Sequence, residues 1–185
     1  MKNSFLGTAL YNEEMRATKL FIGLFLVINI SYDLIYYQIL PKFMKISDFN
    51  FVVENLYWSY SIQAIMLVIS FILIKKQKPY AIKYLFFFGY TLINIVIESI
   101  YFKLNPENYA GGNVVEMFII LFSPIFVNKR FFYVVTIGTV LKYIFVGLII
   151  QSFAVLLPIV LVAVFALIAY LLLHRFIGYV KAISQ

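Results

Sequence analysis

Apolar residues in this chain fall in long unbroken runs, at about 19–40, 56–74, 81–103, 114–128, 131–150 and 153–173. A half-buried strand would alternate, and a surface helix would show one apolar stripe. These runs do neither. About 20 mostly apolar residues carry a helix across a hydrocarbon core of ~30 Å. Lipid cannot satisfy backbone N–H and C=O groups, so helix is the state such runs adopt. A closed barrel would need short alternating segments instead. The pattern therefore predicts an all-α, polytopic transmembrane helix bundle of about six spans. The fourth run is short and contains Pro124. About 15 residues rise only ~22 Å, so a re-entrant segment or a locally thinned bilayer stays open there.

The breaks between runs carry their own signals. "LPKFMKISDFN" follows the first run, with Pro41 as a helix stop. "KKQKP" and "NKR" are short charged connectors, "NPENYAGGN" is a turn with Pro and paired Gly, and Gln151–Ser152 leaves a very tight turn. The expected organisation is a cytoplasmic N-terminal segment 1–18, a six-helix transmembrane domain 19–173, and a cytoplasmic helix 174–185 leading toward an output domain. The first run follows Glu13, Glu14 and Arg16 and is too long for the core of a cleavable signal peptide.

Composition agrees. Hydrophobic residues make up 64% and charged residues 12% of the 185, against about 45–50% and ~25% in soluble domains. The expected surroundings are a lipid bilayer, as a multi-pass protein of the cell membrane. The net charge of +7 is spread over the connectors and forms no basic stripe, so nucleic acid is not an expected partner. With both termini in the cytoplasm, eleven cationic residues fall inside, among them Lys75, Lys76, Lys78, Lys83, Lys129 and Arg130, against three outside, Lys42, Lys45 and Lys103. That asymmetry sets the orientation. Tyr36, Tyr37, Tyr57, Trp58 and Tyr101 then lie near the outer interface. Gly23, Gly89, Gly138 and Gly147 read as helix-packing contacts.

The candidate chemistry lies in the residues that are costly to keep in lipid. Asp33, Glu98, Glu116 and Lys142 fall within the runs, at about 2.5–3.5 kcal/mol each on insertion scales. Asn29 stands one helical turn before Asp33, and Asn94 one turn before Glu98. The segments "INISYDLIYY" and "INIVIESIYF" echo one another around these pairs. Two readings stand for the group. In one, Asp33 or Glu98 pairs with Lys142 and fixes helix packing. In the other, the six residues line a site in the outer half of the bundle for a small ligand, a cation or a proton.

Several chemistries are excluded. The chain has no cysteine and one histidine, His174, so thiol chemistry and multi-histidine metal sites are absent. No Gly-x-Ser element accompanies a histidine, and in "NEEMRATK" Thr18 stands where a CAAX-type protease needs arginine. No enzymatic activity, cofactor or metal is expected. After the last run, Phe176, Ile177, Val180 and Ile183 are spaced as one face of a helix, with Arg175 and Lys181 between them.

"NEEMRATKLF", "SYDLIYYQILPKF" and "HRFIGYVKAISQ" together resemble, in style and layout, the six-span N-terminal membrane region of bacterial diguanylate cyclases and sensor histidine kinases. The resemblance implies a sensing or anchoring module, commonly a homodimer, that drives a cytoplasmic output through its final helix. A GGDEF sequence and a phospho-accepting histidine box are absent, so no catalytic residue carries over. The alternative function is a small-solute transporter or the substrate-binding subunit of an uptake system.

Overall fold

The structure is a computed structural model that describes residues 2–39, 49–104, 106, 109 and 112–183. Among these residues there is no strand. Six α-helices follow in order: α1 Lys2–Asp33, α2 Phe49–Lys75, α3 Ile82–Leu104, α4 Val114–Phe122, α5 Lys129–Ile150 and α6 Leu156–Ile183. A π-helical stretch, Leu34–Ile39, continues α1, and single 3-10 turns flank α3, α4 and α6. Five helical stretches are long and apolar enough to cross a membrane: Leu10–Asp33, Tyr57–Lys75, Pro79–Lys103, Lys129–Ile150 and Phe153–Ile183. The fourth predicted run forms the shorter helix Val114–Phe126, made of α4 and the 3-10 turn Ser123–Phe126 that begins next to Pro124.

Burial follows the rule of a membrane protein. Ile65, Val68 and Phe71 of α2, Leu141, Phe145 and Leu148 of α5, and Val160, Leu167 and Leu171 of α6 are all exposed. Meanwhile Asn29, Asp33, Gln63, Lys83, Asn94, Glu98, Glu116 and Lys142 are buried. In water this arrangement would be untenable, because soluble monomers rarely expose contiguous apolar patches beyond a few hundred Å². In lipid it costs nothing to leave leucine outside, and a polar group gains by turning inward. Tyr57 and Trp58 stand 71% and 72% exposed at the start of the α2 span. The side chains of Tyr36 and Tyr37 lie outside the described set.

The helices divide into two compact units, Met1–Tyr90 and Thr91–Gln185, with the division inside α3. In unit one, Phe21 and Phe25, one turn apart on α1, meet Phe86 edge-on, and Phe25 meets Tyr90 edge-on at 5.1 Å. Gly89 lets Met66 of α2 approach: a Cβ there would collide with the thioether sulfur. Gly23, by contrast, has open space around it and is not a packing contact. The predicted N-terminal segment is helical and continuous with the first span. That continuity brings Glu14 alongside α3, where it accepts from Lys83 Nζ at 2.5 Å. Lys83 is therefore a buried ion-pair member (1% exposed) and not a solvated connector lysine.

Unit two is tied by capped turns. Asn113 caps α4 by accepting from Val115 N–H, Asn128 caps α5 by accepting from Phe131 N–H, and Ser152 accepts from Ala154 N–H. Gln151 ends α5 in the left-handed region, φ 54°, with its N–H on the carbonyl of Gly147. Gly147 in turn admits Val155, whose Cγ2 would lie 2.6 Å from a Cβ at that position. On α6, Pro158, Val162, Ala169 and Leu173 form one buried stripe against α4 and α5.

A side chain with a Cβ costs roughly 1–2 kcal/mol in the left-handed conformation, which glycine adopts freely. Gln151→Gly is therefore expected to stabilise the protein by about 0.5–1 kcal/mol, read as a raised unfolding midpoint in detergent. A lowered midpoint would show that the Gln151 side chain, and not its backbone, holds the turn.

Candidate functional site

Among the described residues, each unit buries a hydrogen-bonded polar cluster, apart from the Glu14–Lys83 pair of unit one. In unit one it begins with Asn29 and Asp33 on α1. A four-residue step places them on one face, and Asn29 Nδ2 donates to Asp33 Oδ2 at 3.3 Å. Across from them, Ser59, Tyr60 and Gln63 on α2 complete the group. Tyr60 donates its hydroxyl to Asp33 Oδ2 at 2.7 Å, Asn29 donates to Gln63 Oε1 at 3.1 Å, and Gln63 Nε2 donates to Ser59 Oγ at 3.0 Å. The described hydrogen bonds to Asp33 thus come from neutral donors. The π-helical stretch begins at the next residue, and such local unwinding is frequent at functional sites.

In unit two the cluster is ionic. Lys142 Nζ, from α5, lies 2.5 Å from Glu98 Oε1 of α3 and 3.0 Å from Glu116 Oε2 of α4. The remaining carboxylate oxygens are also engaged. Tyr109, in the connection between α3 and α4, donates to Glu98 Oε2 at 3.2 Å, and Asn94 Nδ2 donates to Glu116 Oε1 at 3.4 Å. Lys142 is 2% and Glu116 1% exposed. The ammonium also sits 4.1 Å from the centre of the Tyr143 ring, where the π face favours a cation.

The connection between α3 and α4 is fastened onto this cluster. Asn113 donates its backbone N–H to the Tyr143 hydroxyl at 2.9 Å and its Nδ2 to Asn94 Oδ1 at 3.1 Å. Gly112 has φ +72°, and a Cβ on it would come within 2.6 Å of both Pro158 Cβ and the Tyr143 hydroxyl. Burial pushes the Tyr109 hydroxyl well above its ordinary range, and the Glu98 and Glu116 charges add to that. Tyr109 therefore remains a neutral hydroxyl throughout the physiological pH range.

The six residues singled out in the sequence are thus placed in two groups: Asn29 and Asp33 in unit one, and Asn94, Glu98, Glu116 and Lys142 in unit two. The echo between the two segments is only partial in chemistry. Asn29 bonds the acid one turn on, whereas Asn94 turns to Glu116. Sequence reasoning missed Ser59, Tyr60, Gln63, Tyr109, Asn113 and Tyr143. Asn113 had a usable signal, an Asn directly before an apolar helical run. Tyr109 and Tyr143 had none in a chain with 15 tyrosines. Among the described residues, no group of three or more acids or histidines is arranged to hold a metal ion.

The family model MASE12 matches residues 12–174. No curated protein and no solved structure matches the chain.

Removing one member of a buried ion group strands the others. Lys142→Met leaves two facing carboxylates without their cation and is expected to cost about 3–5 kcal/mol. Tyr60→Phe deletes one hydrogen bond to a carboxylate and is expected to cost about 1 kcal/mol. Unfolding in mixed micelles measures both. A Tyr60→Phe loss larger than that of Lys142→Met would reverse the assigned importance of the two clusters.

Proposed function

The chain belongs to MASE12, a family of membrane-associated sensor domains, and from that we propose that it passes a signal sensed within the membrane to a cytoplasmic output through α6. The observation that carries this reading is the continuity of α6. One helix of 28 residues, ~42 Å at 1.5 Å per residue, begins beside Pro158 and Gly112, next to the unit-two cluster. Its buried stripe ends at Leu173. Beyond it, Phe176, Tyr179, Val180 and Ile183 are exposed. Arg175 Nε reaches Tyr179 at 2.9 Å, which braces the helix over one turn past the stripe.

A rigid helix anchored at one end and unsupported at the other conveys displacement or rotation. The fixed end is held where the ions are, and the free end lies where an output would attach. In the proposed orientation both termini and the Lys75–Lys78 connector face the cytoplasm, and Tyr57 faces outward. The cationic connectors support that assignment.

Because the chain has no cysteine, single engineered cysteines report position without background. Ile183→Cys and Gln77→Cys should react with an impermeant maleimide only from the cytoplasmic face, and Tyr57→Cys only from outside. In the signalling protein, deleting 175–183 should abolish the dependence of output on stimulus. A one-residue insertion after Tyr179 rotates the following helix by ~100° and should reset the basal output. Output that stays stimulus-dependent after the deletion would refute transmission through α6.

A further inference from the structure

The unit-two cluster contains two carboxylates and one ammonium. With all three ionised it carries one negative charge in excess, away from water, which is costly. A single proton would neutralise it. Lys142 is not the group that exchanges one: losing its proton would leave both carboxylates uncompensated. The question is which carboxylate takes it, and hydrogen-bond direction answers it.

Consider Glu116 first. Its Oε1 accepts from Asn94 Nδ2, while Asn94 Oδ1 accepts from Asn113 Nδ2, and Asn113 Oδ1 accepts from the backbone N–H of Val115. A backbone N–H only donates. It fixes the orientation of the Asn113 amide, which fixes Asn94, which presents an N–H to Glu116. A proton on Glu116 Oε1 would therefore face another donor. Its Oε2 is held by Lys142, again a donor only. Glu116 also lies in the first turn of α4, where the helix dipole favours its charge. It is locked as the anion.

Glu98 differs at one atom. Its Oε1 is taken by Lys142, but its Oε2 partner is the Tyr109 hydroxyl, and a hydroxyl both donates and accepts. When Oε2 gains a proton from water, the Tyr109 O–H rotates away and its oxygen accepts from the new carboxylic acid. No heavy atom has to move, and both Lys142 contacts survive. Among the described contacts of the two carboxylates, this is the one that can reverse.

We infer that unit two binds a single exchangeable proton at Glu98 Oε2, admitted by reversal of the Tyr109 hydrogen bond, with Glu116 as its fixed counter-anion. Among the described residues, the ionisable groups that stand around it belong to the connection, α4 and α5. They are Tyr109 from the connection, Glu116 from α4, and Lys142 and Tyr143 from α5. On α3 itself, Tyr101 packs on Phe102 and Lys103 is exposed. The helix α6 meets this end through Pro158, and its ionisable residues begin only at Tyr170. Protonation replaces a charge-assisted bond to Tyr109 with a neutral one, roughly halving its strength, and so loosens the fastening of the α3–α4 connection beside the root of α6. Its bearing on signalling rests on the sensor reading above; the proton site does not.

The test is infrared difference spectroscopy of the full chain in lipid nanodiscs between neutral and acid pH, with glutamate carrying ¹³C in its side-chain carboxyl. The wild type should gain a protonated-carboxyl band at the labelled position. Glu98→Gln should lose it, and Glu116→Gln, which removes the excess negative charge, should make it appear only at lower pH. Tyr109→Phe should keep the band but move it to higher wavenumber, because the acid proton loses its acceptor. Should Glu98→Gln fail to fold, Glu98→Asp serves equally, since its band then shifts to the unlabelled position. Absence of the band in the wild type, its survival in Glu98→Gln or Glu98→Asp, or a band unmoved by Tyr109→Phe overturns the assignment. No output domain is needed, so this result is independent of whether α6 transmits.

Discussion

The arrangement of unit two follows from the need to surround a buried ammonium. Lys142 on α5 draws a carboxylate from α3 and another from α4, so three helices take their register from one nitrogen atom. Apolar packing cannot supply this, because lipid tails compete on equal terms with leucine and valine. What distinguishes one helix arrangement from its neighbours in a bilayer is whether the ions and amides find partners. In unit two Glu98, Glu116, Lys142, Asn94 and Asn113 all do. The shortness of α4 fits the same logic: its first turn, capped by Asn113, delivers Glu116 to the lysine.

Unit one meets a related demand with weaker means. Asp33 is answered by an amide and a phenol, where Glu98 is answered by an ammonium. The two segments look alike in sequence, yet the partner contributed by another helix decides what each acid becomes. Lys83 and Glu14 supply a part-buried ion pair of unit one elsewhere, at the start of α3 and on the N-terminal part of α1. That part of the chain is thereby integrated with the helices it precedes.

Much of the architecture was legible in the sequence because lipid imposes a length and a composition on whatever crosses it. The six helices fall on the six apolar runs; Gln151–Ser152 falls between two of them, while "KKQKP" and "NKR" mark helix ends, Lys75 closing α2 and Lys129 opening α5. The costly residues were legible for the same reason: an acid in an apolar run stands out. Their partners were not. Glu98 meets Lys142 across 44 residues and Glu116 meets it across 26, and no local spacing encodes such meetings. Tyr109 and Tyr143 owe their roles to hydroxyls on residues that elsewhere in this chain serve as bulk. Lys83 misled because a cation beside a basic connector looks solvated until the helix before it supplies a carboxylate. Gly23 misled because a small residue in a span is a packing contact only where another helix arrives.

The turn at Gln151 has a mechanical corollary. Two residues separate α5 from the 3-10 turn that opens α6, both are tied back to the carbonyl of Gly147, and Val155 is wedged against that glycine. A joint with so little slack does not let one arm slide without dragging the other. Lys142 rides on one arm and the exposed end at Ile183 on the other, and the two arms are joined through Gly147 by only two residues.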